Sequence, residues 1–174
     1  MFSNPEKVLI QFGLSERMTV ADFGAGIGFY AMRAAEKVGS DGKVYAIDIQ
    51  KDLLSRLANE AEKAGLDNIE TIYGDVEKQG NTSLADLSVD AVIIANTLFG
   101  MADKAGAAKE ALRILKSKGR VLLVEWADSF AGIGPHRDHV VKKPIAKKIF
   151  TDVGFTFERF IESGEHHYGL VFRK

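Results

Sequence analysis

Three glycines at alternate positions close an apolar run in Thr19-Val-Ala-Asp-Phe-Gly-Ala-Gly-Ile-Gly-Phe29, and no other stretch leaves the chain so few options. Val20 to Phe23 reads as a strand, the glycines as a tight turn, and the alanine-rich segment Phe29 to Val38 as a helix that starts at once. Gly24, Gly26 and Gly28 carry no Cβ, so the backbone can turn with positive φ and a ligand can lie against main-chain N–H groups. Strand, glycine turn and helix in this order open a parallel α/β sheet with a nucleotide-type ligand at the turn.

The rest of the chain keeps the alternation. Asn4 is an N-cap with Pro5 at the first helical position, and Gly13 ends that short helix. Lys43 to Ile49, Ile69 to Tyr73, Val89 to Ala95 and Gly119 to Glu125 read as further strands. Asp52 to Ala64, Ala105 to Leu115 and Pro144 to Val153 read as helices, with a short helical turn near Leu84 to Leu87. Phe155 to Ile161 and His167 to Phe172 form a hairpin around Glu162-Ser-Gly-Glu165. Right-handed crossovers between parallel strands make this a three-layer α/β/α sandwich with a seven-stranded, mostly parallel sheet. With 174 residues, one domain spans 1-174. It divides into an opening helix segment (1-16), a ligand-binding core (17-126), a substrate-side loop (127-141), and a terminal helix and hairpin (142-174).

Composition excludes several classes. A net charge of -1 offers no general attraction to polyanions, so nucleic acid is not favoured as a partner. The run Lys142, Lys143, Lys147 and Lys148 reads as a solvated face. There is no cysteine, hence no disulfide, no thiolate metal site and no cysteine nucleophile. No metal site is expected from the four histidines. No apolar run reaches membrane-spanning length, and the opening residues lack the pattern of a signal peptide, so the expected setting is cytoplasmic, with no membrane partner.

Spacing then separates the ligands that use glycine turns. A dinucleotide fingerprint is G-x-G-x-x-G, whereas here Gly falls at 28 and Phe at 29, giving G-x-G-x-G. Asp22, two residues before the first glycine, would crowd a pyrophosphate but suits a cationic amine. Asp48 lies twenty residues past Gly28 at the end of the second strand, where a carboxylate accepts both hydroxyls of a ribose. At this point the chain resembles the class I S-adenosylmethionine-dependent methyltransferases, whose first motif, D-x-G-x-G-x-G, it matches without a gap. The resemblance covers almost the whole chain and implies an antiparallel last strand within the sheet. It also implies S-adenosylmethionine as cofactor, with Asp22, Gly24, Ala25, Gly26 and Gly28 around the methionine part. Asp48 and Ile49 would then meet the ribose and adenine, Gly74, Asp75 and Val76 the adenine, and Asn96 the methionine.

Substrate contacts are expected where the chain is irregular and beyond the last parallel strands. Phe99, Trp126 and Arg137 are the candidates, Arg137 for an anionic acceptor. His136 and His139 are candidate bases, needed only if the acceptor must lose a proton before it attacks. His166 and His167 are adjacent at the start of a strand and face opposite sides, so both cannot join one site. Within the resemblance, the absence of a proline motif after Asn96 argues against amino-methylating nucleic-acid enzymes. The absence of cysteine argues against cytosine-C5 and arsenite methyltransferases. The nearest likeness is to small bacterial or archaeal enzymes related to the quinone-biosynthesis C-methyltransferase group, with a small-molecule acceptor. Two other readings stay open: a cofactor-binding partner subunit without turnover, and a NAD(P)-dependent oxidoreductase. Little chain is available to cover the site, which makes a homodimer a further expectation.

Overall fold

The computed structural model describes residues 3–130 and 132–174. Met1, Phe2 and Ala131, which fall in the opening segment and the substrate-side loop, lie outside the described residues. The elements run α1 (Pro5–Phe12), β1 (Thr19–Phe23), α2 (Phe29–Val38), β2 (Lys43–Asp48), α3 (Lys51–Lys63), β3 (Ile69–Tyr73) and β4 (Val89–Ala95). They continue with α4 (Lys104–Ile114), β5 (Leu115–Trp126), α5 (Lys143–Val153), β6 (Thr156–Ile161) and β7 (His167–Arg173). One seven-stranded sheet has the order β3-β2-β1-β4-β5-β7-β6. β1 pairs in parallel with both β2 and β4, so the chain reverses its direction of winding there, and the cleft expected of such folds opens at their carboxyl ends. β7 enters antiparallel between β5 and β6, as the family resemblance implied.

Alternation along each strand divides the core into two layers. Val20, Val44, Ala91, Ile93, Leu122, Val124 and Val171 pack under α1, α2 and α3. Ala21, Phe23, Val92, Ile94, Leu123, Leu170 and Phe172 pack under α4 and α5. The central strands are apolar on both faces because both are covered. α1 begins as its sequence foretells, with the Asn4 side chain accepting from the Lys7 N–H at 3.1 Å, and ends on Gly13 in the left-handed conformation.

Two details differ from expectation. Leu84 to Leu87 is not helical: Ser83 and Leu87 both take positive φ. The carbonyls of this segment are met from elsewhere, Leu84 by the Arg113 guanidinium at 2.8 Å and Ala85 by the Ser88 hydroxyl at 2.7 Å. β5 starts at Leu115 rather than Gly119. Leu115 pairs with Val89, and the register shifts before Ala91 pairs with Arg120, with Lys118 at positive φ absorbing the irregularity. The basic run is partly employed in packing: Lys147 lies 3.8 Å over the Phe157 ring, Lys143 lies 4.9 Å over Phe160, and Lys148 pairs with Asp152.

Candidate active site

The three glycines are needed for three different reasons. A Cβ on Gly24 would run into the Thr97 side chain, and one on Gly28 would stand 2.7 Å from Leu57 Cγ of α3. A Cβ on Gly26 would meet nothing within 4 Å and would point into the open cleft. Gly28 therefore serves helix packing, and unlike Gly24 and Gly26 it lines neither of the two cavities beside the turn. We expect Gly28→Ala, strained at φ +92° and overpacked against Leu57, to destabilise the fold by about 2–4 kcal/mol. Gly26→Ala, at φ +56°, should cost only about 1 kcal/mol of stability yet weaken ligand binding tenfold or more. Thermal unfolding paired with a binding titration checks both, and equal losses in the two variants would contradict this division.

The turn also differs from the N–H cradle expected of it. The N–H groups of Gly24 and Ala25 both donate to Ile47 O, that of Gly26 donates to Asp48 Oδ2 at 2.9 Å, and that of Gly28 donates to Ala25 O. With the N–H groups of Gly24, Ala25, Gly26 and Gly28 committed, the turn suits a ligand that brings its own donors better than an anion that seeks several. Acceptors are what it leaves available. Asp22 Oδ2 and Asn96 Oδ1 are buried without a hydrogen-bond partner, and both residues line a cavity of about 600 Å³ with Gly24, Ala25 and Gly26. Burial drives the Asp22 pKa up to about 7, the Ala31 N–H opposes this, and the Asp48 carboxylate adds to it. Asn96, directly after β4, holds φ +56°, a strained position of the kind found where a site over-determines the backbone.

A second cavity of about 340 Å³ adjoins the first. It is lined by Asp48, Ile49, Gly74, Asp75, Val76 and Phe99, and it shares Gly24, Gly26, Leu53 and Asn96 with its neighbour. The residues expected around ribose and adenine are thus brought together. Asp48 is held in place by the Gly26 N–H on one oxygen and the Gln50 N–H, at 2.8 Å, on the other. Each oxygen keeps a lone pair for a hydroxyl. Phe99, expected on the substrate side, opens on this smaller cavity instead.

At the far side of the larger cavity stand Trp126, at the end of β5, Ile133 and His167. His167 is the residue that the sequence reading left aside. Its ring lies 4.2 Å from that of Trp126, and both ring nitrogens are buried without a hydrogen-bond partner. Burial and the neighbouring His166 hold its pKa below the ordinary value, against the pull of Asp128, which keeps the ring neutral near pH 7. His166 turns the other way, as alternation requires, toward Asp128 at 3.1 Å and the Phe130 ring at 3.9 Å. His136, Arg137 and His139 are exposed in a short turn of the loop, with His136 beside Asp138 at 3.3 Å. None of the three lines either cavity. Glu125 went unread as well. It is fully buried, and it accepts the Trp126 N–H at 2.7 Å and the Phe99 N–H at 3.0 Å, tying the Leu98–Gly100 turn to β5. Burial raises its pKa to about 7 against the N–H groups of Trp126, Phe99 and Leu98. Among the described residues no group of three or more His, Asp or Glu could hold a metal ion, and no helix is long and apolar enough to cross a membrane.

A glycine turn after β1 on this topology defines a class, and comparison with known proteins shows the same class. Residues 14–153 match the model of the methyltransferase-domain family, and the chain belongs to that family. It is 35% identical over 111 residues to aklanonic acid methyltransferase DauC of Streptomyces sp. (strain C5), covering 62% of this chain and 49% of that protein. It is 29% identical over 116 residues to the ubiquinone/menaquinone biosynthesis C-methyltransferase UbiE of Idiomarina loihiensis, covering 66% and 45%. An arsenite methyltransferase of Halobacterium salinarum is 33% identical over 106 residues, 60% of this chain and 26% of that one. The chain thus spans between about a quarter and a half of the length of these curated relatives. Among solved structures, a SAM-dependent methyltransferase from Aquifex aeolicus superposes with a TM-score of 0.90 at 31% identity, over 99% of this chain and 90% of that one. The [4+2]-cyclase SpnF, at 16% identity, shares the fold with a TM-score of 0.82 over 98% of this chain and 80% of its own.

Proposed function

We propose that this chain binds S-adenosylmethionine across the carboxyl ends of β1, β2 and β4 and transfers its methyl group to a small-molecule acceptor held in the larger cavity. One observation carries the reading: two buried oxygens, Asp22 Oδ2 and Asn96 Oδ1, have no partner in a cavity beside a turn whose N–H groups at Gly24, Ala25, Gly26 and Gly28 are already donated. A ligand with an ammonium group completes both, and the adjoining cavity offers Asp48 for its ribose hydroxyls. S-adenosylmethionine supplies a methyl group already activated by positive sulfur, so the chain's own task is alignment and exclusion of water. The apolar walls Tyr30, Leu53, Trp126 and Ile133 serve both ends. The relatives act on different acceptors, and their names do not carry over. Trivalent arsenic is disfavoured here because the chain has no thiolate to hold it.

Calorimetric titration with S-adenosylmethionine, S-adenosylhomocysteine and NADH tests the reading. Saturable binding of the first two at micromolar concentration, about −8 kcal/mol, and none of NADH is expected. Binding of NADH alone would replace it with a nicotinamide oxidoreductase.

A further inference from the structure

The acceptor end of the larger cavity is built by one stepped diagonal across the sheet, since Asp22 pairs with Ile93 and Ala95 with Val124. Asp22 of β1, Ala95 of β4, Trp126 of β5 and His167 of β7 are consecutive in strand order, all four line the cavity, and Trp126 pairs directly with His167. Asp22 and His167 therefore stand at opposite ends, three strand spacings or about 14 Å apart across the strands and four residues or about 13 Å apart along them. Asp22 is the end that takes the ammonium. Of the described lining residues none is Lys or Arg, so nothing there would neutralise a carboxylate or phosphate on the acceptor, and the one charged side chain is acidic. Among the described lining residues the only basic group is the imidazole of His167, held below its ordinary pKa by burial and with neither ring nitrogen engaged. A buried polar ring held against Trp126 without a partner is costly unless a ligand supplies one.

We propose that His167 is the general base of the transfer and that the acceptor is an uncharged, largely apolar molecule whose nucleophilic atom carries a weakly acidic hydrogen. The inference rests on the larger cavity being the acceptor site of the methyl transfer proposed above. In the step, the acceptor's X–H bond breaks and its proton passes to the unprotonated ring nitrogen of His167. The electron pair left on X forms the new bond to the methyl carbon, whose bond to sulfur breaks with its electrons staying on sulfur as a neutral thioether. The imidazolium gives its proton to water once the methylated product has left. His136 and His139, exposed on the loop, take no part.

The test uses 2-naphthol and 2-naphthoate as probes, titrated calorimetrically into the protein loaded with S-adenosylhomocysteine. We expect 2-naphthol to bind at least tenfold more tightly than 2-naphthoate. His167→Phe keeps a ring against Trp126 but removes both nitrogens, and should weaken 2-naphthol about tenfold with S-adenosylhomocysteine affinity unchanged. His167→Gln, which keeps a hydrogen-bonding group without a base, should restore most of the 2-naphthol binding while transfer of a labelled methyl group to 2-naphthol stays lost. Equal or tighter binding of 2-naphthoate, uptake of neither probe, or unaltered 2-naphthol binding by His167→Phe would overturn the proposal. Labelled transfer by His167→Gln at the wild-type rate would remove the base. Failure of the wild-type protein to bind S-adenosylhomocysteine at all would instead sink the cofactor reading.

Discussion

Asp22→Asn should weaken S-adenosylmethionine binding roughly a hundredfold and at the same time make the ligand-free protein more stable at pH 8. The first effect follows from removing the negative partner of a buried ammonium, about 3 kcal/mol for a charge-assisted contact out of water. The second follows from linkage. Burial raises the Asp22 pKa from 3.8 to about 7 in the fold, so the folded chain holds this proton more tightly than the unfolded chain does. The contribution favours the fold below about pH 4 and is lost as pH rises through 7. At pH 8 the ligand-free protein carries a buried carboxylate with no cation beside it and one oxygen unmatched, a penalty on the order of 4 kcal/mol. Asparagine has the shape without the charge. The variant should melt about 5 °C or more above wild type at pH 8, and the gap should narrow by more than half at pH 5, closing only below about pH 4. Calorimetric titration and melting curves at the two pH values check both halves, and a gap that does not widen with pH would contradict the assignment of Asp22 as a buried charge without a counter-ion.

Glu125→Ala should have the largest effect on stability. The side chain is fully buried, and its two oxygens take the N–H groups of Trp126 and Phe99. Truncation orphans both donors where water does not replace the carboxylate, at about 1–3 kcal/mol each, and adds a cavity. A total of about 4 kcal/mol lowers the melting temperature by roughly 10 °C. Because Glu125 ties the Leu98–Gly100 turn to β5, the loss should extend to the neighbouring cavity that Phe99 lines. Glu125→Gln retains one carbonyl oxygen and should lose about half as much at neutral pH. A melting temperature within 2 °C of wild type for the alanine variant would show that the turn is held by other contacts.

The cofactor half of the candidate site was legible in sequence because its residues sit where parallel strands end. Asp22, Asp48, Gly74 and Asn96 each follow from one rule about carboxyl ends, and the structure places all four on the cavities. The acceptor half followed a different geometry. β7 runs antiparallel to β5, so its first residue, not its last, reaches the same edge, and Trp126 pairs with His167. A reading that looks after strands therefore turns to His136 and His139 in the loop and passes over a histidine that opens one. The signal was present in the predicted hairpin and in the alternation that sends His166 and His167 to opposite faces. Gly28 shows the reverse error. Its place in the motif suggested contact with ligand, whereas its need is a Leu57 side chain, twenty-nine positions away in sequence but adjacent in space, which local spacing does not encode. Leu84 to Leu87 failed for the same reason, since Arg113 of α4 satisfies its backbone.

Gly24, Gly26, Leu53 and Asn96 each face both cavities, so a methyl donor that spans the two, as proposed, would share its wall with the acceptor in the larger one. In energetic language a shared wall is a coupling free energy, and coupling is reciprocal: whatever the first occupant does to that wall in favour of the second, the second returns in equal measure to the first. The chain thus needs no separate device to register that its methyl donor is in place. The acceptor meets a different cavity once Asn96 and the glycine turn are covered, and order of entry becomes a property of the floor on which both molecules rest.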